Sequence, residues 1–247
     1  MWLTLPDTHD AVPLIIYSHG MSGHARKFED LHRVWAEAGY AVAAPVFPLS
    51  NDGVEGSWGN VHDVPNQPGD VSFVLDELLA LSADESSEFA GRFDAGRLGA
   101  SGLSAGGFTT YDIAVDAEWR DQRFTAAVVM SGLLNRNADL FDPADDFPVL
   151  IIHGDQDPLI GVEQAQIAYR SMTAPRYLIV LLGGGHASPY EDGPATFEEK
   201  IPGHDELIYA STVAFWDRYL LDIEEAEAEL LRAATQDGLS AVQSDNG

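Results

Sequence analysis

The pentapeptide Gly-Leu-Ser-Ala-Gly at positions 102–106 constrains the fold of this chain more than any other feature. An apolar stretch, residues 97–101, precedes it, and an amphipathic stretch, residues 108–117, follows it. The pattern predicts a strand that turns sharply into a helix, with Ser104 at the turn. So tight a turn needs neighbours without bulky side chains, which the glycines provide. The hydroxyl group of Ser104 would then lie near the unpaired N–H groups at the helix N-terminus.

Ser104 is a candidate nucleophile, and a nucleophilic serine needs a base and an acid from elsewhere in the chain. After a turn of this kind the acid precedes the histidine, and each follows a later strand. Residues 148–153 include four consecutive aliphatic residues and predict a buried strand, which Asp155 and Asp157 follow. We favour Asp157 as the acid because Pro158 fixes the backbone directly after it. Asp155 is more typical of a turn or helix-capping residue.

His186 is the candidate base. It follows the apolar run 177–182 and three glycines, so a loop after a strand would present it. His204 is the alternative, but its surroundings, Pro-Gly-His-Asp, indicate the start of the last large helix, where we expect an exposed or capping side chain. An imidazole within hydrogen-bond reach of Ser104 would remove the hydroxyl proton during attack, and a buried carboxylate would hold the ring in the required tautomer.

A tetrahedral oxyanion also requires two N–H donors. The backbone N–H of Ala105, directly after the nucleophile, is the first candidate. The second lies in the loop 18–24, which follows an early apolar run. Gly20 allows the chain to turn the N–H of Met21 towards the site. We expect His19, beside this glycine, to make a structural hydrogen bond and not to act in the chemistry.

Two connections bear on the substrate. Residues 46–67 form a long segment without clear periodicity that carries Trp58 and His62, our candidate substrate-binding residues. This segment either forms a wall of the site or packs over the edge of the sheet. The connection 132–147 is too short for a large lid, so we expect an open site. The histidines do not cluster at metal-ligand spacings, and we expect neither a metal nor a cofactor.

Alternating strand-like and helix-like segments predict an α/β fold with a mostly parallel central sheet and helices on both faces. We expect one domain, residues 1–236, in which the charged, alanine-rich segment from Ile223 forms a surface helix. The polar residues 237–247 are predicted to be a disordered C-terminal tail. The predicted strands are 13–18, 40–45, 97–101, 124–130, 148–153 and 177–182, and the predicted helices are 27–38, 70–81, 108–117, 161–171 and 205–221.

The charge balance limits the possible partners. The chain has 40 acidic and 13 basic residues, a net charge of -27, and no cysteine. Nucleic acids and anionic membranes should be repelled. The self-repulsion of such a chain suggests adaptation to high salt as one hypothesis, and an ordinary acidic protein is the alternative. No apolar run reaches the roughly 20 residues of a membrane span. The start of the chain does not resemble a signal peptide, so we expect a cytoplasmic protein or, alternatively, a secreted one whose signal peptide has been removed.

Together these motifs resemble the α/β-hydrolase family, in the group that includes dienelactone-hydrolase-like proteins, platelet-activating-factor acetylhydrolases and bacterial cutinase-like polyester hydrolases. The resemblance covers nearly the whole chain and depends on residues 18–21, 102–106, 153–157 and 185–186. It implies an α/β-hydrolase fold without a large lid domain, and it assigns one oxyanion N–H to Met21.

The activity that this resemblance implies is that of a cofactor-free serine carboxylesterase, which works through an acyl-enzyme on short-chain acyl esters. The alternatives are a cutinase-like polyester hydrolase, or another acyl-transfer enzyme such as an amidase, a perhydrolase or an acyltransferase. A ligand-binding protein on the same scaffold is a more distant alternative. The expected partner is therefore a small-molecule or polymeric ester, and the sequence does not predict the oligomeric state.

Overall fold

An eight-stranded sheet lies at the centre of the structure, a computed structural model that describes residues 1–134, 141–192 and 198–246. Most of its strands are apolar runs buried on both faces, as expected for strands that helices cover on each side. The strands are β1 (Trp2–Thr4), β2 (Val12–Ser18), β3 (Ala41–Ala44), β4 (Phe93–Leu103), β5 (Phe124–Met130), β6 (Val149–Gly154), β7 (Arg176–Leu181) and β8 (Ser240–Asp245).

Helices alternate with these strands along the described residues. Their apolar residues recur at helical spacing, as in α2, where Val71, Leu75 and Leu78 form one buried face. The α-helices are α1 (Glu29–Glu37), α2 (Gln67–Ala83), α3 (Ala105–Thr110), α4 (Glu163–Ser171), α5 (His204–Leu220) and α6 (Ala226–Ala234). Four of the helices predicted from the sequence agree with α1, α2, α4 and α5 within a few residues, whereas the one predicted over 108–117 is divided between α3 and a π-helical turn, Tyr111–Val115. The last helix, α6, is the predicted surface helix.

The order of the strands across the sheet is β1-β3-β2-β4-β5-β6-β7-β8. The six central strands are parallel to their neighbours, whereas β1 and β8 pair antiparallel at the two edges. The predicted α/β architecture with a mostly parallel sheet is therefore confirmed. Because β2, β4, β6 and β7 all run in one direction, the loops that follow them meet at the same edge of the sheet.

The core has two halves, one on each face of the sheet. Alternate residues of a strand point to opposite faces, so Leu14 and Ile16 of β2 belong to one half, and Ile15 and Tyr17 to the other. The first half packs against α2, α4 and the π-helical turn Tyr111–Val115, which follows α3. The second packs against α1, α5 and α6. Helices therefore cover both faces of the sheet.

The C-terminal segment corrects the predicted disordered tail. Residues 240–245 form β8, which pairs along the whole of β7 from Arg176 opposite Asp245 to Leu181 opposite Ser240. The guanidinium of Arg176 also lies 2.8 Å from the carboxylate of Asp245. Without this strand, β7 would expose a row of unpaired backbone groups. An edge strand with one solvated face can be polar, which is why composition alone indicated disorder.

His204 also differs from the expectation. It was predicted to be exposed or capping, but it is the first residue of α5 and is only 1% exposed. Gly203 has φ 96°, and this turn directs the start of the helix inwards, towards the backbone of Leu182 and Leu239. Burial lowers the pKa of the imidazole, so this histidine is neutral inside the fold.

The predicted absence of a large lid concerns the connection 132–147. Residues 135–140 of this connection lie outside the described residues, so the absence of a lid stays a prediction. Within the described ranges, no helix is both long and apolar enough to cross a membrane.

Candidate active site

The turn at Ser104, between β4 and α3, has a strained backbone. Its φ of 57° and ψ of -116° are rarely adopted by residues other than glycine. A Cβ atom on Gly106 would lie 2.0 Å from the carbonyl oxygen of Ser18, and one on Gly102 would lie 2.3 Å from that of Gly106. No side chain fits at either position. The two glycines therefore allow the turn to pack directly against the end of β2.

Asp157 and His186 meet at the carboxyl ends of β6 and β7. The Nδ1 atom of His186 lies 2.7 Å from Oδ2 of Asp157, and both side chains are buried. The second carboxylate oxygen, Oδ1, accepts hydrogen bonds from the backbone N–H groups of Leu159 and Ile160, each at 2.8 Å. Asp155 lies elsewhere: its Oδ1 atom accepts a hydrogen bond from the N–H of Gly183. Of the two candidate acids, Asp157 is the one that contacts the imidazole.

A second histidine contacts the same carboxylate, and the sequence did not reveal it. The Nε2 atom of His153, at the end of β6, lies 2.8 Å from the carbonyl oxygen of Ile160 and 3.2 Å from Oδ2 of Asp157. Both neighbours are acceptors, so Nε2 carries the proton and donates to them. The signal for this contact was the spacing of four residues across a tight turn, which brings the strand-end histidine back to the aspartate.

Hydrogen bonds keep Asp157 ionised despite its buried position. Burial alone would raise the pKa of this carboxyl group, but the bonds donated by His153, His186 and the N–H of Ile160 lower the pKa well below its usual value. The carboxylate therefore carries its charge across the neutral range. An ionised acceptor beside Nδ1 fixes the proton of His186 on that nitrogen and leaves Nε2 free to accept a proton.

Glu198 holds the loop that carries His186. Its carboxylate accepts hydrogen bonds from the N–H groups of His186, Ala187 and Ser188, each at 2.9 Å. Burial raises the pKa of Glu198, but these three donors lower it by more, so the carboxylate remains charged. No local pattern in the sequence pointed to this residue, because Glu198 lies twelve residues further along the chain than His186.

Ser104 and His186 line the same hollow, together with Gly20 and Met21. Within the described residues, no hydrogen bond joins Oγ of Ser104 to Nε2 of His186. Such bonds are often long in enzymes without substrate and shorten when it binds. The structure therefore brings the three predicted side chains to one place. The Asp157–His186 hydrogen bond is formed, whereas the Ser104–His186 hydrogen bond is not.

The two predicted oxyanion donors belong to residues that line one hollow together with Ser104. In the described part of the chain, neither the N–H of Met21 nor that of Ala105 donates to a protein acceptor. Gly20 adjoins the serine, since a Cβ at this position would lie 3.2 Å from Cβ of Ser104. A hydrogen bond of 2.9 Å from the N–H of Gly23 to the carbonyl of Gly20 closes the turn that carries Met21. Two free donors therefore lie near one hydroxyl group.

His19 makes the structural hydrogen bonds expected of it. Its Nε2 atom accepts a bond of 3.2 Å from the N–H of Phe47, so Nδ1 carries the proton and donates to the carbonyl of Gly20 at 2.8 Å. Burial lowers the pKa of this imidazole and keeps it neutral. The residue joins the loop after β2 to the long segment after β3.

A buried polar network connects that long segment to both sides of Ser104. The hydroxyl of Ser50 donates to Asp63 at 2.7 Å and accepts from the amide of Gln67 at 2.9 Å. The amide oxygen of Gln67 accepts a bond of 2.5 Å from Thr109 of α3. The carbonyl of Ser50 accepts from the N–H of Ser22, beside Met21. The network thus connects the loop of Met21 to the helix that begins at Ala105.

Two hollows open on either side of Ser104, with volumes of about 190 and 240 Å³. Met21, Trp58 and Ser104 line both of them. Trp58 therefore borders the site, whereas His62 is exposed and lines neither hollow. We call the first the histidine-side hollow and the second the helix-side hollow. The histidine-side hollow is further lined by Lys27, Leu159, His186, Ala187, Glu191 and Glu198, and the helix-side hollow by Val61, Val64, Ala105 and Phe108.

Comparison with known proteins does not show a family for this chain. No protein-family model matches the sequence, and no curated protein matches it. Among the described residues, no group of three or more histidine, aspartate or glutamate side chains is placed to hold a metal ion.

Proposed function

We propose that this protein is a serine hydrolase with an α/β-hydrolase fold. One observation carries the proposal: a buried hydrogen bond joins Asp157 to His186 at the ends of two strands, and His186 lines the same hollow as the strained Ser104. The order serine, aspartate, histidine along the chain is that of the α/β-hydrolases. Two unpaired N–H groups beside the hydroxyl supply the remaining requirement of acyl transfer.

More specifically, we propose a carboxylesterase. Oγ of Ser104 attacks the carbonyl carbon of an ester while Nε2 of His186 takes its proton. Asp157 stabilises the imidazolium through the Nδ1 hydrogen bond. The carbonyl oxygen becomes an oxyanion and accepts hydrogen bonds from the N–H groups of Met21 and Ala105, each donor typically worth about 3 kcal/mol in the transition state.

Collapse of this intermediate breaks the bond between the carbonyl carbon and the alcohol oxygen. His186 returns its proton to that oxygen, and the acyl group stays on Ser104. A water molecule then attacks the acyl-enzyme with His186 as the base, and the carboxylic acid leaves as Ser104 regains its proton. This cycle needs no cofactor. Short-chain acyl esters are the expected assay substrates.

The test combines covalent labelling with turnover. A fluorophosphonate probe should label the wild-type protein at Ser104, and Ser104→Ala should lose labelling and roughly three to six orders of magnitude in ester turnover. The matched control is Ser171→Ala, at the end of α4 and outside both hollows, which should keep labelling and turnover. Full activity in Ser104→Ala would reject the assignment.

Hydrolysis of polyesters is a second candidate, favoured by the apolar rim of the two hollows. Trp58, Val61 and Leu159 are each about 60% exposed there, which suits contact with an apolar polymer surface. Release of soluble acid from a polyester film, measured beside the hydrolysis of soluble esters, separates the two activities. Turnover of soluble esters without release of acid from the film would reject polyester hydrolysis and keep the carboxylesterase proposal.

A further inference from the structure

The two hollows beside Ser104 differ in chemistry. The described side chains of the helix-side hollow are uncharged: Val61, Val64 and Phe108 line it, beside the shared Met21 and Trp58. The histidine-side hollow carries the ammonium group of Lys27 and the carboxylates of Glu191 and Glu198. Lys27 is one of only two lysines in the chain, and its Nζ atom lies 3.6 Å from Oε1 of Glu191.

The proposed reaction assigns a different part of the ester to each hollow. His186 must return a proton to the leaving alcohol oxygen, so the alcohol part has to lie within hydrogen-bond reach of this imidazole. Only the histidine-side hollow, of the two, contains His186. The carbonyl oxygen points towards the N–H groups of Met21 and Ala105. The acyl group then takes the remaining direction, past Ser104 into the helix-side hollow.

We propose that the helix-side hollow binds the acyl group and the histidine-side hollow binds the alcohol part, so that the preferred substrates are esters of an apolar acid with a polar, uncharged alcohol. This inference rests on the proposed function and adds the substrate class to it. The apolar walls of the first hollow gain from the burial of a hydrocarbon chain. In the second, the charged side chains offer hydrogen bonds to hydroxyl groups of the alcohol.

Charge also argues against an anionic alcohol part. Two carboxylates and one ammonium group face the histidine-side hollow, and the whole chain carries a net charge of -27. The electrostatic field at the site therefore repels a substrate whose alcohol part is negatively charged. A neutral alcohol with several hydroxyl groups avoids this repulsion and still satisfies the polar walls.

The experiment uses one bulky substitution in each hollow. Val61 and Leu159 are similarly exposed, at 59% and 60%, so either position tolerates a tryptophan without repacking the core. Val61→Trp fills part of the helix-side hollow, and Leu159→Trp, its matched control, fills part of the other. Each variant is assayed on p-nitrophenyl esters from acetate to octanoate, which share one alcohol, and on glyceryl and hexyl acetates, which share one acid.

We expect Val61→Trp to lower kcat/KM for the hexanoate, relative to the acetate, by about tenfold and to leave the ratio between glyceryl and hexyl acetate within about twofold. Leu159→Trp should change the ratio between glyceryl and hexyl acetate by about tenfold and leave the ratio between hexanoate and acetate within about twofold. The wild type should prefer glyceryl to hexyl acetate. The proposal is overturned if Val61→Trp changes the ratio between the two acetates and Leu159→Trp changes the ratio between hexanoate and acetate. Equal effects of both variants on both series also overturn it. A wild-type preference for hexyl acetate overturns the polar-alcohol part.

Labelling distinguishes failure of this inference from failure of the proposed function. A wild-type protein that reacts with the fluorophosphonate probe and hydrolyses esters, but whose ratios do not respond to either tryptophan, rejects only the assignment of the hollows. A wild-type protein that neither reacts with the probe nor hydrolyses any ester rejects the serine hydrolase itself.

Discussion

Asp157 is bound on every side by hydrogen-bond donors. Its two carboxylate oxygens accept from the N–H groups of Leu159 and Ile160 and from the rings of His153 and His186. Such a carboxylate cannot rotate without losing several charge-assisted bonds at once. The orientation of His186 is therefore fixed by contacts that extend beyond the three residues proposed to act on substrate.

His153 is a positioning residue in this arrangement, and its removal gives the first prediction. His153→Phe deletes the donor to Asp157, so we expect kcat to fall by about tenfold or more, since a hydrogen bond to a charged group contributes about 1.5–3 kcal/mol. The loss should appear in kcat and leave KM within about twofold, because His153 contacts the carboxylate and lines neither hollow. Steady-state kcat and KM on short-chain p-nitrophenyl esters test both effects.

The conservative variant separates this role from a merely structural one. His153→Gln keeps an N–H donor at the end of β6 and should restore most of kcat. If His153→Phe lowers stability but leaves kcat unchanged, the positioning role is wrong.

His32, on α1, gives a second prediction at the residue scale. Burial lowers the pKa of this imidazole to about 3, so it is neutral in the folded chain. The unfolded chain, in which the histidine has its ordinary pKa, binds a proton at higher pH. Acid therefore favours unfolding, and between pH 6.5 and 5.5 this one residue should lower the free energy of unfolding by about 1 kcal/mol.

The variant His32→Phe tests whether His32 causes this loss of stability in acid. The ring packs among Tyr17, Phe28 and Trp35, which suit a phenylalanine. Urea unfolding in high salt should show a smaller loss of stability over this pH interval than in the wild type. His62→Gln, at an exposed position, is the control and should keep the wild-type slope. An unchanged slope in His32→Phe would contradict the assignment.

Among the elements, β2, β4 and α3 approach one another closely. The N-terminus of α3 lies directly against the last residue of β2, and the strained Ser104 is held between them. The network of Ser50, Gln67 and Thr109 then connects α3 to the loop of Met21. The two proposed oxyanion donors are thus carried by elements that are held to each other.

Gly106→Ala tests this close approach. Its Cβ would meet the carbonyl oxygen of Ser18 at 2.0 Å, and this atom belongs to the backbone, which cannot move aside cheaply. We expect a loss of about 2 kcal/mol or more in the free energy of unfolding, measured by urea denaturation, together with weaker oxyanion binding and a lower kcat.

A second glycine provides the matched control for that substitution. Gly69 lies in α2, and nothing is found within 4 Å of the position of its Cβ. Gly69→Ala should therefore raise stability by about 0.5–1 kcal/mol, because alanine favours the helix. Equal effects of the two substitutions would show that the contact with β2 has no energetic consequence.

At the scale of the whole molecule, the net charge of -27 is the dominant feature. Carboxylates spread over the surface repel one another and favour expansion of the chain. Added salt shortens the range of this repulsion, from about 10 Å at 0.1 M to about 3 Å at 1 M. Adaptation to a salty environment remains our hypothesis for this composition.

The corresponding prediction concerns Tm. Unfolding followed by circular dichroism should show a rising Tm as sodium chloride increases from low to molar concentration. Sodium chloride is preferred to sulfate, which strengthens hydrophobic burial in any protein. A flat or falling Tm would remove the hypothesis of salt adaptation and leave an ordinary acidic protein.

The sequence by itself determined the features that depend on neighbours along the chain. The alternation of buried strands and amphipathic helices follows from hydrophobic periodicity, and the sharp turn at Ser104 follows from the glycines around it. The order of Ser104, Asp157 and His186 after successive strands could be predicted because parallel strands bring their carboxyl ends to one edge. Pro158 and the strand before it already favoured Asp157 over Asp155.

Only the tertiary structure decided the contacts between residues that local patterns do not relate. The support of the His186 backbone by Glu198 and the burial of His204 depend on segments that meet only in the folded chain. The pairing of β8 depends on the free edge that β7 offers. The polar sequence of β8 does not reveal this pairing. The propensity of a segment to form a helix, a strand or a turn depends on neighbouring residues, whereas hydrogen bonds and burial between distant segments exist only once the chain has folded.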